Sequence, residues 1–222
     1  ISLPERTTEL VARFLQDGPR VDLVVSHFTR MDAAGNDTGA IETRVVDLPD
    51  TSRPATEWTC CASGAVAAYS RHLHEKYGPL DEDALSEDVV YSFRAWMESG
   101  IGVVEKPLLR YRMSPDSLSV SQSHRSDARA TREQRWARRR RVAAGRLANA
   151  REWLRAWDLG GRFADPRARE GLVRRLRLRE LEVAALDAGP LRLCRLAAAT
   201  VAHGGGFVAG ARLLFRYGLK WY

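Results

Sequence analysis

The chain changes pattern near residue 122, and this break limits its fold more than any other feature. Up to Gln122, short apolar runs of strand and helix character alternate. There, 12 Lys and Arg stand against 19 Asp and Glu, a net −7. From Ser123 on, the pattern is helical, and 23 Lys and Arg stand against 9 Asp and Glu, a net +14. The overall +7 therefore averages two regions with different jobs or different surroundings, residues 1–122 and 123–222. No run approaches 18 apolar residues, so no spanning helix is expected. No charged-then-apolar leader opens the residues shown. Cys60, Cys61 and Cys194 are an odd number, two of them adjacent, which argues for a reducing compartment without disulfides. No Cys and His spacing matches a zinc site.

In the first region the elements follow from periodicity and punctuation. Ile1-Ser2-Leu3-Pro4 leads into a helix, with Ser2 as cap, Pro4 in the first turn and an apolar face of Leu10, Val11, Phe14 and Leu15. Gly18-Pro19 stops it, and Val21 to Ser26 reads as a buried strand. Residues 33–37 are turn chemistry, and Asp47 to Pro54 is a polar loop. A short helix runs from a cap at Ser70 to Gly78. Ser86 caps another that ends at Gly100, with Val89, Val90, Phe93, Trp96 and Met97 as its stripe. Ile101 to Tyr111 returns as a strand interrupted by Pro107. That order predicts an α/β layered domain short of strands for a complete one. Beyond the Ser-rich stretch 114–126 come helices, with Trp136, Ala143, Leu147, Leu154 and Trp157 on one stripe. Asp165-Pro166 opens the next helix and Gly189-Pro190 closes it.

The residues best suited to chemistry are Glu87 and Asp88. Carboxylates in a first turn feel the positive helix end and its free N–H groups, which keeps them ionised and aimed outward. Such a group can take a proton from a hydroxyl, although acids are also simply favoured in first turns. Arg94 lies two turns on and can share that side, holding Glu87 or meeting an anion; a solvated surface Arg is the plain alternative. Arg112 ends a strand ahead of hydroxyls such as Ser117, a setting for phosphate oxygens or merely a polar loop.

Glu87-Asp88, Arg94, Gly100, Pro107 and Tyr111-Arg112, in this order and spacing, resemble the second half of family 2 glycosyltransferases of the GT-A fold. The opening Ile1 to Arg6 resembles the segment after that family's metal-binding Asp-x-Asp. Val21 to Ser26 with Asp32 and Gly35 resembles its next strand and turn, and Ser63-Gly64 leading to Tyr69-Ser70-Arg71 its acceptor-side strand and helix. The resemblance covers residues 1–122. It implies a partial, Rossmann-like GT-A domain that lacks its N-terminal nucleotide-binding half, followed by an Arg-rich α-helical extension. It also implies transfer of a sugar from a nucleotide-sugar donor to a hydroxyl of a saccharide or lipid-linked acceptor, usually with inversion. A divalent Mn or Mg would serve the leaving diphosphate, its Asp-x-Asp ligands being absent from these residues. By the same resemblance Asp88 is the base and Glu87 orients it or binds acceptor. Arg94 supports Glu87, Ser63 and Gly64 line the acceptor approach, and Arg112 and Ser117 lie near the diphosphate. Where many relatives carry a His after Tyr-Arg, this chain has Ser114. The residues 1–222 alone are expected to be inactive.

The basic region has three readings. Arg125 to Arg155, with Trp136, Trp153, Trp157 and the aromatic tail 213–222, suits a cytoplasmic protein in peripheral contact with the anionic inner face of the membrane. Nucleic acid is the less favoured rival, since aromatic and basic mixtures suit interfaces. The third is a solvated Arg-rich surface packed inside by its Trp stripe. The function expected is glycosyl transfer in cell-surface polysaccharide or glycoconjugate synthesis. The alternative is a non-enzymatic basic helical module for an anionic membrane surface or nucleic acid.

Overall fold

The computed structural model describes residues 1–42, 48–113, 131–160, 163, 165–188, 190–205 and 210–211. Contacts group the chain into two compact units. One comprises Ile1–Leu48, Thr59–Pro79 and Glu87–Arg135; the other comprises Pro49–Trp58, Leu80–Ser86 and Trp136–Tyr222. Where composition suggests one cut at 122/123, the contacts thus assign 49–58 and 80–86 to the helical unit.

The first unit is mixed α/β. Strand β1 (Leu23–Met31) is central. Along one edge it runs parallel to β4 (Ile101–Arg112), from Leu23 opposite Ile101 to Met31 opposite Arg112. Along the other edge it pairs antiparallel with β3 (Ala67–Tyr69) and then with β2 (Asp37–Glu42). Four consecutive residues, Leu23 to Ser26, are buried, as expected of a strand paired on both edges and covered on both faces. The turn expected at 33–37 joins β1 to β2: Asp32 accepts from the Asn36 backbone and side-chain N–H groups at 2.8 and 3.0 Å. In β4 the register slips around Pro107, which has no N–H to give the ladder.

Two expectations for the opening are corrected. Ser2 does not cap a helix; it bridges Leu109, while Leu3 donates to the Leu108 carbonyl at 3.0 Å. Helix α1 (Arg6–Asp17) begins later, since Pro4 and the pairing of residues 1–3 hold the chain extended first. Its apolar face is narrower than the sequence suggests. Leu10 is buried and Phe14 half-buried against Val24, Val104 and Leu108, whereas Val11 and Leu15 are exposed. Helix α2 (Arg71–Tyr77) ends at Gly78, whose positive φ of 69° suits glycine. Helix α3 (Glu87–Glu98) buries Val90, Phe93, Trp96 and Met97 of its predicted stripe, and also Ser92, Arg94 and Ala95. Burying each large apolar side chain contributes about 1.5–3 kcal/mol, so this helix anchors the unit. Asp22 pins the ends of several elements: the hydroxyls of Ser70 and Ser99 both donate to its carboxylate, Ser99 at 2.6 Å.

The second unit is helical. Its elements are α4 (Arg132–Asp158, here from Trp136), α5 (Pro166–Leu186), α6 (Pro190–Thr200) and a π turn, Val201–Gly205. The Asp165 side chain caps α5, accepting the Arg167 N–H at 2.9 Å, with Pro166 at the first position. Ala143, Ala185, Leu186, Ala188, Leu193 and Ala197 form one core cluster, with Trp136 packed against it. Gly145 lies so close to Leu85 that an added Cβ would stand 2.4 Å from the Leu85 Cβ. Trp153 and Trp157 are buried, at 1% and 8% exposure. That corrects the interface role suggested for them: they belong to the packing, with Trp157 5.9 Å from the ring of Trp58. The aromatic tail 213–222 expected at an interface lies outside the described residues. Among the described residues no helix is long and apolar enough to cross a membrane. Among the described residues Cys60, Cys61 and Cys194 form no disulfide.

Candidate functional site

The predicted acid pair and the predicted glycine meet in the α/β unit. Gly64 opens a single turn, Gly64–Val66, that delivers the chain into β3. Its N–H donates to Asp88 Oδ2 at 3.3 Å, and the N–H of Val89 donates to Asp88 Oδ1 at 2.8 Å. Each carboxylate oxygen therefore takes one backbone donor and keeps further lone pairs. Asp88 is half-buried and Glu87 is exposed. Glu87 Oε1 lies 2.6 Å from where a Cβ on Gly64 would be, and Asp88 Cβ at 3.3 Å. Only a residue without a side chain lets both acids close over this backbone. Ser63, half-buried, precedes the turn and makes no side-chain cap there.

Ser92 sets this geometry and was not singled out in the sequence. Its Oγ donates to the Asp88 carbonyl at 2.5 Å and accepts the Ala62 N–H at 2.8 Å, tying the approach to Gly64 onto α3. Its only sequence signal is a Ser one turn beyond Asp88, on an otherwise apolar helix. Tyr69 and Tyr91 were also missed as a pair; their rings lie 4.7 Å apart, with Tyr91 one turn beyond Asp88. Burial first, then the negative charges of Asp88 and Glu87, push the Tyr69 phenol well above its ordinary pKa.

Arg94 is corrected. The sequence places it where it could meet a ligand, but it is fully buried at 0% exposure. Its Nη1 donates to the Gly78 carbonyl at 3.0 Å, and its guanidinium lies 5.3 and 5.2 Å from the rings of Tyr77 and Tyr91. A planar cation can be taken inside when its faces meet rings and its N–H groups meet carbonyls. Arg94 thus acts from beneath, by fixing Tyr91 and the C-terminal end of α2. Arg112 is exposed and pairs with Met31, six residues further along β1 than Val25, which faces Ala67 of β3. Its Nη2 lies 3.9 Å from the Cβ position of Gly35, so it belongs to the β1–β2 hairpin end rather than to the acid pair. Ser117 and Ser114 lie outside the described residues.

Chemically, the arrangement offers a half-buried carboxylate held by two backbone donors at a helix start. It can accept a proton from an alcohol brought against Gly64. Among the described residues no three His, Cys, Asp or Glu side chains converge as metal ligands. No protein-family model, curated protein or solved structure matches this chain.

Proposed function

We propose that residues 1–122 form the acceptor side of a family 2-like, GT-A glycosyltransferase, with Asp88 as the base. The observation that carries this is the seat of Asp88: half-buried, held by the Gly64 and Val89 N–H groups, with Glu87 reaching over the same glycine. In the reaction an acceptor hydroxyl oxygen attacks the anomeric carbon of a nucleotide-sugar and its proton passes to Asp88. The bond from that carbon to the diphosphate oxygen breaks, and a nucleoside diphosphate leaves with inversion. Glu87 orients the acceptor, and the bare backbone of Gly64 admits it closely. Arg94 positions the helix rather than the substrate. In this reading the residues 1–222 supply the acceptor side and by themselves turn over no nucleotide-sugar. A role in cell-surface polysaccharide synthesis rests on family analogy.

The test is transfer to a saccharide or lipid-linked acceptor by the open reading frame that encodes this chain. Asp88→Asn keeps the shape and the Gly64 contact but cannot take the proton. Loss of a positioned general base costs about 10²–10⁴-fold in rate. Full activity in that variant rejects Asp88 as base, and turnover by residues 1–222 alone rejects the reading of them as an acceptor side only.

A further inference from the structure

Arg6, in the first turn of α1, reaches the turn that carries Gly64. Its Nη2 donates to the carbonyls of Ala65 and Ala67, at 3.0 and 3.4 Å, and its Nη1 donates to the Ser2 hydroxyl at 3.0 Å. Its Nε is buried and makes no hydrogen bond. A cation that merely covers a surface keeps its N–H groups in water, so the dry Nε shows that this guanidinium is drawn in toward the turn. The turn starts at Gly64, whose backbone is the least restrained of any residue type. The Ser63 and Gly64 carbonyls close it, accepting the N–H groups of Val66 and Ala67, Val66 at 3.1 Å. The Ala65 and Ala67 carbonyls go to Arg6 instead. Ser92 fastens the approach to this turn through the Ala62 N–H, and Arg6 fastens its exit into β3. Between the two, the Gly64 N–H meets Asp88 over a long 3.3 Å bond, which a small displacement of the turn would break. Peptide planes are rigid, so holding two carbonyls of so short a turn restrains the N–H of the glycine before them.

We propose that Arg6 is a positioning residue: by gripping the Ala65 and Ala67 carbonyls it fixes the Gly64–Val66 turn so that the Gly64 backbone meets Asp88. Both bonds come from a charged donor, which makes them stronger than neutral ones. One nitrogen of the planar fork serves both carbonyls while the other is steered by Ser2. Arg6 acts on the acid pair through the turn. Its part in transfer rests on Asp88 being the base; its grip on the turn does not.

The experiment is amide hydrogen exchange of residues 1–222, resolved residue by residue by NMR. Arg6→Met removes the donors and keeps a long side chain. It should speed exchange of the Gly64 N–H by about 10- to 100-fold, the factor for losing a hydrogen bond from a charged group, while the amides of α2 stay as in wild type. Arg6→Lys keeps the charge without the fork and should recover part of the protection. Unchanged exchange at Gly64 in Arg6→Met overturns the proposal. Equal acceleration across β1 and α2 overturns it too, since Arg6 would then stabilise the unit at large. Should Arg6→Met fail to fold, Ser2→Ala decides, because it removes only the hydroxyl that steers the guanidinium. Faster exchange at Gly64 and not in α2 supports the grip, and unchanged exchange at Gly64 rejects it. In the transfer assay on the open reading frame, Arg6→Met should lower kcat by about 10- to 100-fold, the scale of a misplaced reacting group, with the donor KM unchanged. A raised donor KM with kcat intact would reject the positioning role. If the wild type transfers no sugar, the transferase reading falls and Arg6's part in transfer with it, whereas the grip on the turn is judged by exchange alone.

Discussion

Arg94 in the α/β unit and Arg175 in the helical unit are bound alike. Arg94 lies between Tyr77 and Tyr91 and donates to the Gly78 carbonyl. Arg175 lies 4.3 Å from the ring of Trp153 and donates to the Trp58 and Ala55 carbonyls at 2.6 and 3.3 Å. Burial, and then the nearby charge of Arg179, push the Arg175 guanidinium down to about 10. The consequences differ. Arg94 braces the helix that presents Glu87 and Asp88, so it serves a site. Arg175 braces helical packing. On the surface of its unit, cations meet acids, as in Arg140–Asp187, Arg146–Glu182, Arg169–Asp158 and Arg174–Glu170. Among the described residues, several arginines of this unit are thus engaged in ion pairs within it, and Arg175 in packing. A basic sequence is not by itself a basic binding face.

The comparison breaks most clearly at the two arginines. Arg94→Ala removes a fully buried side chain and leaves a void, for an expected loss of about 3–5 kcal/mol. Arg175→Ala removes the partner of two carbonyls and of the Trp153 face, for about 3 kcal/mol. Urea unfolding with tryptophan fluorescence measures both. Arg175→Lys should recover only part of the loss, because an ammonium cannot stack as a guanidinium does. Equal stability of Arg175→Lys and wild type would show that charge alone matters there.

The tight glycines sharpen the comparison at a smaller scale. Gly145→Ala drives a Cβ to 2.4 Å from the Leu85 Cβ and 3.0 Å from its Cα, close to a backbone that cannot give way. Overpacking of this kind costs about 1–3 kcal/mol. Gly64→Ala meets first the far end of the flexible Glu87 chain, so its stability loss should be the smaller of the two. It displaces Glu87 from the site, so transfer should fall while folding persists. Differential scanning calorimetry beside the transfer assay separates the two effects, and the reverse ranking in stability would contradict this packing.

The smallest expected effect is a pH dependence confined to the α/β unit. Burial alone would raise the Glu98 carboxyl. The bond from Lys76 at 2.6 Å, the Tyr77 hydroxyl, the Lys76 charge and His72 together bring it below its ordinary 4.5. The folded protein therefore holds this proton less readily than the unfolded chain. The stabilisation is complete above 4.5 and is lost as the pH falls through the lowered value. Glu98→Gln should lower stability at neutral pH and flatten the acid limb of the urea midpoint. An acid limb as steep as in wild type would assign it to other carboxylates.

Much of the α/β unit was legible in the sequence. The helix from Ser70 to Gly78, the α3 stripe and the return strand broken by Pro107 all follow from spacing and punctuation. The acid pair was legible for the same reason, since carboxylates gather at helix starts. Arg94 and Ser92 were not. An arginine inside and a serine bridging two segments depend on neighbours 16 and 30 residues away, and no local pattern records them.

The sequence by itself determined the alternation of strand and helix, the helical second region and where most elements stop. Backbone preference and apolar period act within a few residues. Only the tertiary structure decided which charges are sheltered, which tryptophans are core, and that Gly64, Glu87 and Asp88 share one place. Those outcomes depend on how separate elements pack, because burial and hydrogen-bond partnership are properties of pairs distant along the chain.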